Sequence, residues 1–147
     1  MSEAPTTAEL DMAKDGLEIC ALWERNLSGY TAQSAGQKFR LGYLENPAGV
    51  ASIIGLRFDG GVELQGTVGI HPRRMWMGDR PVAAANLADF AVNRVHRALG
   101  PAIMLLRTAV RLAEGRFDLS FGCPNPRAAP IFRVAKMALV GSFVRFA

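Results

Sequence analysis

Apolar residues in the first third of the chain recur at helical spacing. Leu17, Cys20, Ala21 and Trp23 predict a helix over 17–27, with "NLSG" as its stop and Gly29 just beyond. Phe39 and Tyr43, four apart, share a face of a second short helix over 35–44, which "NPAG" ends. The period then shortens to that of a strand. "VASIIGLRF" and "VELQGTVGI" flank the turn "DGG", so 50–70 reads as a β-hairpin. "HPRRMWMGDRP" extends that ladder and turns again at Gly78 and Asp79, and "VAAANLADFAV" makes a further strand from Val82 to Val92. Helical spacing returns after a basic turn. Ile103, Leu106, Val110 and Ala113 fall on one face, Arg107, Arg111 and Glu114 on the other, and Gly115 is placed to cap the end.

"FDLSFG" reads as a short buried strand, and "NPRAAPIFRVAKM" as a helix that Asn125 caps with Pro126 in its first position. Pro130 marks either the real start of that helix or a kink. "ALVGSFVRF" alternates as a final strand, while the small polar residues from Met1 to about Ala8 predict a frayed end, with order from near Asp15. The predicted order is two helices, a three-stranded antiparallel section, a helix, a strand, a helix and a last strand: an α/β (α+β) layer with a mixed, mostly antiparallel sheet flanked by helices.

Composition narrows the class of protein. A chain of 147 residues, half hydrophobic and a fifth charged, is expected to form one globular domain over 1–147. Its two cysteines, Cys20 and Cys123, are far apart and form no Cys-x-x-Cys pair, so neither a disulfide framework nor a structural zinc site is indicated, and a reduced, cytoplasmic setting fits. The start carries no basic segment followed by an apolar core. The apolar stretch Ala98 to Leu106 is stopped by Arg107, far short of the roughly 20 residues a spanning helix needs. A net charge of +4 invites an anionic partner, whether nucleic acid or a phosphorylated cofactor, or serves solubility alone.

The basic turn ahead of the long helix carries the sharpest chemistry. A helix N-terminus presents unpaired N–H groups and partial positive charge, so it can hold a phosphate. Gly100 allows close backbone approach, and Arg94, His96 and Arg97 add charge; Pro101 starts the helix but offers no N–H, while Ala102 and Ile103 keep theirs. By spacing alone, a strand-to-helix connection with solvated arginines explains the segment equally well.

"RALGPA" resembles the Arg/Gln-x-x-Gly-x-Gly/Ala signature of the GNAT superfamily of acyl-CoA N-acyltransferases, with Arg97, Gly100 and Ala102 at the defining places. Downstream, Asn125, Ala128, Ile131 and Phe132 resemble the family's Asn-x-x-Ala-x-x-aliphatic-aromatic helix, and the resemblance runs from about Leu17 to Phe146. It implies a GNAT-like fold and acyl-CoA, acetyl-CoA above all, as co-substrate without a metal. The N–H groups of Arg97, Ala98, Leu99, Gly100, Ala102 and Ile103 would meet its pyrophosphate. Its pantetheine arm would lie along the backbone of Phe90, Ala91 and Val92, beside Asn125, and one N–H there would polarise the thioester carbonyl. Two departures stand out. Phe132 occupies a place where many members carry a tyrosine acid, and the chain has one strand after the last helix where the family commonly has two.

Other residues divide between chemical and structural readings. Asp89 is the candidate catalytic residue, as a base or as the group that orients an acceptor amine; its structural alternative is a carboxylate paired with a nearby arginine. His71 and His96 fall in turn or strand-end segments with no third ligand nearby, which disfavours a metal site. Cys123 lies near the implied thioester, though cysteine most often serves as a small buried hydrophobe. Arg73, Arg74 and Trp76 could stack on a base and hold phosphates; Glu63 reads as a surface charge. Three functions therefore compete. The first is an N-acyltransferase acting on a small-molecule or peptide amine. The second is a GNAT-like domain that binds cofactor or partner without turnover. A small basic nucleic-acid binder ranks last, because RNA-binding signatures are absent. The apolar last strand calls for a homodimer or a further domain to cover it.

Overall fold

The computed structural model describes residues 4–58, 61–96 and 98–144. Five strands lie in the order β1-β2-β3-β4-β5. They are β1 (Pro5–Glu9), β2 (Ser52–Phe58), β3 (Gly66–Met77), β4 (Arg80–Val92) and β5 (Leu119–Gly122). Pairing is antiparallel from β1 through β4, and β5 joins β4 in parallel. Parallel neighbours need a long crossover, and α3 (Leu99–Glu114) supplies it.

Helices α1 (Met12–Asn26) and α2 (Ala32–Phe39) cover one face, while α3 and the short α4 (Ala129–Val134) cover the other. Adjacent residues of β2 show the division: Ile53 packs with Ile19, Leu22, Trp23 and Phe39, and Ile54 with Val68, Ile70, Leu105 and Leu106.

The start of the chain departs from the sequence reading. Residues 5–9 form β1, paired along β2 from Pro5 with Phe58 to Glu9 with Ile54. The strand signal is weak because one face is polar and the strand sits at the sheet edge, held by β2, by Thr7 bonding Thr108 at 2.8 Å, and by Arg116 on Glu9 at 2.9 Å. Helix α1 begins at Met12, capped by Asp11, whose carboxylate accepts from the N–H groups of Ala13 and Lys14. Its buried face is Ile19, Leu22 and Trp23; Leu17 is 90% exposed, so the predicted face was rotated. In α3 the buried set is Ala102, Leu105, Leu106, Ala109 and Ala113, with Ile103 at its margin.

The hairpin over β3 and β4 turns at Gly78 and Asp79 as expected, whereas Asp59 and Gly60 of "DGG" lie outside the described residues and Val62 is exposed, so β3 begins at Gly66. Asn125 does not cap α4 itself: its Oδ1 accepts from the N–H groups of Arg127 and Ala128 in the turn that leads into the helix, and α4 starts later, at Ala129, with Pro130 in its first turn and no side-chain cap. The described part of the predicted last strand is not in the sheet. Residues 138–144 carry no regular structure, and Val140 and Phe143 are almost fully exposed. Alternation prepares a segment for a sheet without supplying the edge to pair with, and Gly141 and Ser142 weaken its strand preference.

Candidate functional site: a bulged strand and the cleft beside it

Strand β4 changes character halfway along. From Ala84 to Leu87 it pairs with Leu119 to Gly122 of β5, and there the partner ends. On its other side the register with β3 shifts: Thr67 faces Ala91 but Gly69 faces Ala88, so Val68 alone stands opposite both Asp89 and Phe90. This is a β-bulge, and Asp89 takes φ +50, a conformation that aspartate tolerates better than most residues. Thr67 ties the bulge to the helix layer, accepting from the Trp23 indole N–H at 2.9 Å and donating to the Asp89 carbonyl.

The bulge turns the Asp89 carboxylate into a ring of donors. Tyr30 donates to Oδ1 at 2.9 Å; Tyr43 donates to Oδ2 at 2.6 Å. His71 Nε2 lies 3.1 Å from Oδ2, and the Lys38 ammonium 3.8 Å from it. The Asp89 side chain is only 7% exposed and that of His71 1%. Burial pushes the Asp89 carboxyl upward, but hydrogen bonds from His71, Tyr43 and Tyr30 and the Lys38 charge together hold it below the ordinary aspartate value. Burial first, and then the Asp89 charge, push both tyrosine hydroxyls upward, so they stay neutral. His71 Nδ1 is buried without a hydrogen-bond partner among the described residues, which favours the tautomer with Nε2–H donated to Asp89. Gly69 makes the cluster possible, since a Cβ there would lie 1.8 Å from the Tyr43 hydroxyl.

Beyond Leu87 and Gly122 the strands part and a cleft of about 1020 Å³ opens. Leu87 to Val92 form one wall and Cys123 to Asn125 the other; Tyr30 and its loop close one end, and Ala98, Leu99 and Ala102 of α3 the other. Phe132 seats its ring on Gly122, where a Cβ would lie 2.5 Å away, and meets Phe90 edge-on at 6.3 Å. The α3 N-terminus has no side-chain cap, so its first N–H groups are not taken up by a side chain. Arg94 and Arg127 line the same cleft.

The structure thus gathers Asp89, Phe90, Ala91, Val92, Ala98, Leu99, Ala102 and Asn125 around one cleft. Gly100 is exposed on the first turn of α3, and Ile103 is half-buried one residue past Ala102; neither lines the cleft. Arg97 lies outside the described residues. Asp89 pairs with a lysine, a histidine and two tyrosines in place of the expected arginine, and Cys123 is exposed, not buried. His71 sits in mid-strand, not at a turn. Sequence reading missed Tyr30, Lys38, Tyr43 and His71 as site residues. Only the polar atoms at the ends of Tyr43 and His71, on positions whose neighbours are core, hinted that something must meet them.

No family model and no curated protein sequence matches the chain. Its fold is nevertheless that of the GNAT-type acyl-CoA N-acyltransferases. A glucosamine-6-phosphate N-acetyltransferase from Arabidopsis thaliana superposes with a TM-score of 0.72 at 9% identity, over 99% of both chains. An aminoglycoside N-acetyltransferase in complex with CoA superposes with a TM-score of 0.72 at 11% identity, over 100% of this chain and 96% of the other. A protein described as a transcriptional regulator from Bacillus halodurans reaches 0.74 at 13% identity, over 98% and 99%. Among the described residues no helix is long and apolar enough to cross a membrane.

Proposed function

We propose that the protein is an acyl-CoA-dependent N-acyltransferase that passes an acetyl group to a primary amine by direct attack. The observation that carries this reading is the parting of β4 from β5 at a bulge, with an uncapped helix N-terminus at one end of the cleft and a buried carboxylate at its base. The residues fit acyl-CoA. Backbone N–H groups at the start of α3, with Arg94 and Arg127, suit its phosphates, and the stretch of β4 from Phe90 to Val92, past the end of β5, suits the amide-bearing arm. Bound there, it would supply the activated acyl group. An N–H of the Phe90–Val92 segment would stabilise the oxygen that gains charge. Asp89, held ionised, would take up the proton that the amine loses.

Solved neighbours are named for sugar-phosphate and aminoglycoside acetylation, which supports a small-molecule amine as acceptor. The exposed apolar run at 139–144 supports cover by a second copy or a following segment, a reading that sedimentation tests. Binding without turnover is the second reading, favoured by Phe132, which carries no proton where a tyrosine acid would stand.

The test is calorimetric titration with acetyl-CoA followed by thiol release in the presence of a panel of primary amines. Binding should be lost or weakened at least tenfold in Arg94→Glu, which sets a negative charge in the cleft beside the phosphates. Equal binding by both proteins would remove this end of the cleft from the site. Binding with no thiol released would leave the non-catalytic reading.

A further inference from the structure

We infer that Tyr30 is the catalytic proton carrier of this site, linking the reacting nitrogen in the cleft to the buried carboxylate of Asp89. The inference rests on the acyltransfer reading above and adds the residue through which its proton moves.

Asp89 is too enclosed to meet a substrate broadly. Its Oδ2 is occupied by Tyr43, His71 and Lys38, and its Oδ1 receives the Tyr30 hydroxyl. Tyr43 is itself buried, whereas Tyr30 is half-buried and lines the cleft together with Phe90, Ala91 and Phe132. A phenol has one donor and two acceptor lone pairs. The Tyr30 proton is committed to Asp89, so its lone pairs are what it can offer to an N–H donor in the cleft. Phe132, in the same cleft, offers none.

The step balances without a further reactant. As the amine nitrogen bonds to the thioester carbon, its N–H proton moves to the Tyr30 oxygen while the Tyr30 proton moves to Asp89 Oδ1. The C–S bond then breaks, and the same path run backward delivers the proton to the departing sulfur. Tyr30 is neutral before and after, and Asp89 holds the proton only in between. Nitrogen in the tetrahedral adduct is a stronger acid than a free ammonium, because the carbon it has joined carries electron-withdrawing oxygen and sulfur, so a weak base suffices. The raised hydroxyl and lowered carboxyl of this pair keep the resting state as a neutral phenol on a carboxylate.

Tyr30→Phe tests this while keeping the ring 6.2 Å from that of Trp23. With acetyl-CoA and the primary amine on which the wild type is fastest, kcat should fall about 100-fold, as expected for loss of a positioned acid–base group. The calorimetric Kd for acetyl-CoA should stay unchanged, and the variant should stay folded with a modestly lower melting temperature, because the buried Asp89 carboxylate loses one of its donors. The variant's residual rate should climb with pH where the wild type is flat, because solvent must then remove the proton. A readout independent of turnover is the Tyr30 Cζ carbon resonance in labelled protein, which should shift when the amine is added to the CoA-saturated wild type. Wild-type kcat and pH profile in Tyr30→Phe, or a Cζ resonance indifferent to the amine, would overturn the relay and leave acyltransfer intact. A wild type that binds acetyl-CoA yet releases no thiol with any amine would sink the acyltransfer reading, and the relay with it.

Discussion

Both faces of the sheet are buried, and they are differently made. Under α3 and α4 the core is apolar side chains throughout, from Ile54 and Leu56 across Val68 and Ile70 to Leu87, Leu105 and Leu106; the buried polar Ser52 stands at its rim, bonded to Glu9 and Arg116. Under α1 and α2, Ile19, Leu22, Trp23 and Ile53 share their space with Thr67, His71, Tyr43 and the Asp89 carboxylate. Polar groups buried this deeply cost free energy unless each is paired, and a buried charge needs several partners. Among the described residues the pairing is nearly complete, with His71 Nδ1 the buried side-chain atom left without a partner. The contrast teaches that the first face holds the sheet together, and that the second carries a carboxylate whose ionisation is fixed by what surrounds it.

Substitutions on the two faces should separate these roles. Leu105→Ala, at a fully buried position of α3, should cost about 2–5 kcal/mol by leaving a cavity. At a temperature where the variant is folded, its kcat with a given amine should equal that of the wild type; a large loss of kcat would tie the two faces together. Asp89→Ala should cost somewhat less, roughly 2–4 kcal/mol: the Tyr43 hydroxyl and the His71 ring each lose a buried acceptor at about 1–3 kcal/mol apiece, removal of the buried carboxylate offsets part of that loss, and Lys38 can turn toward water. It should also abolish turnover while leaving acetyl-CoA bound. Denaturant unfolding with calorimetry on the same samples measures both, and an active Asp89→Ala would show that the cluster is scaffold alone.

A smaller effect should appear in the pH dependence of stability. The Asp89 carboxyl is held below its unfolded value, so the native state binds fewer protons than the unfolded chain in that window and stability rises with pH. Its contribution is fully present above the ordinary aspartate value of about 3.9 and is lost as pH falls below it toward the folded value. Tyr30 and Tyr43 shift the other way. Their contribution is present below the ordinary tyrosine value of about 10 and is lost as pH rises above it toward the folded values. Asp89→Asn should flatten the acid limb of a melting-temperature profile; an unchanged limb would assign it to Glu9, whose carboxyl is also held down, first by its bond from Arg116.

Elements whose signals are local were legible in the amino-acid sequence alone. Hydrophobic period marked the helices and the hairpins, "GD" placed the β3–β4 turn, Asn125 capped the turn into α4, and the segment Asp89–Val92 followed by a basic turn and a helix located one wall of the cleft. Tertiary structure alone decided the rest, because each remaining feature is a pairing between distant segments. β1 is a strand only because β2 offers an edge, and the alternating run at 138–144 is none for want of one. Asp89 meets Tyr30, Tyr43 and His71 across 59, 46 and 18 positions of chain. That meeting depends on one residue's excess in β4 over β3 and on the missing side chain of Gly69, and a bulge leaves no periodic trace in the sequence.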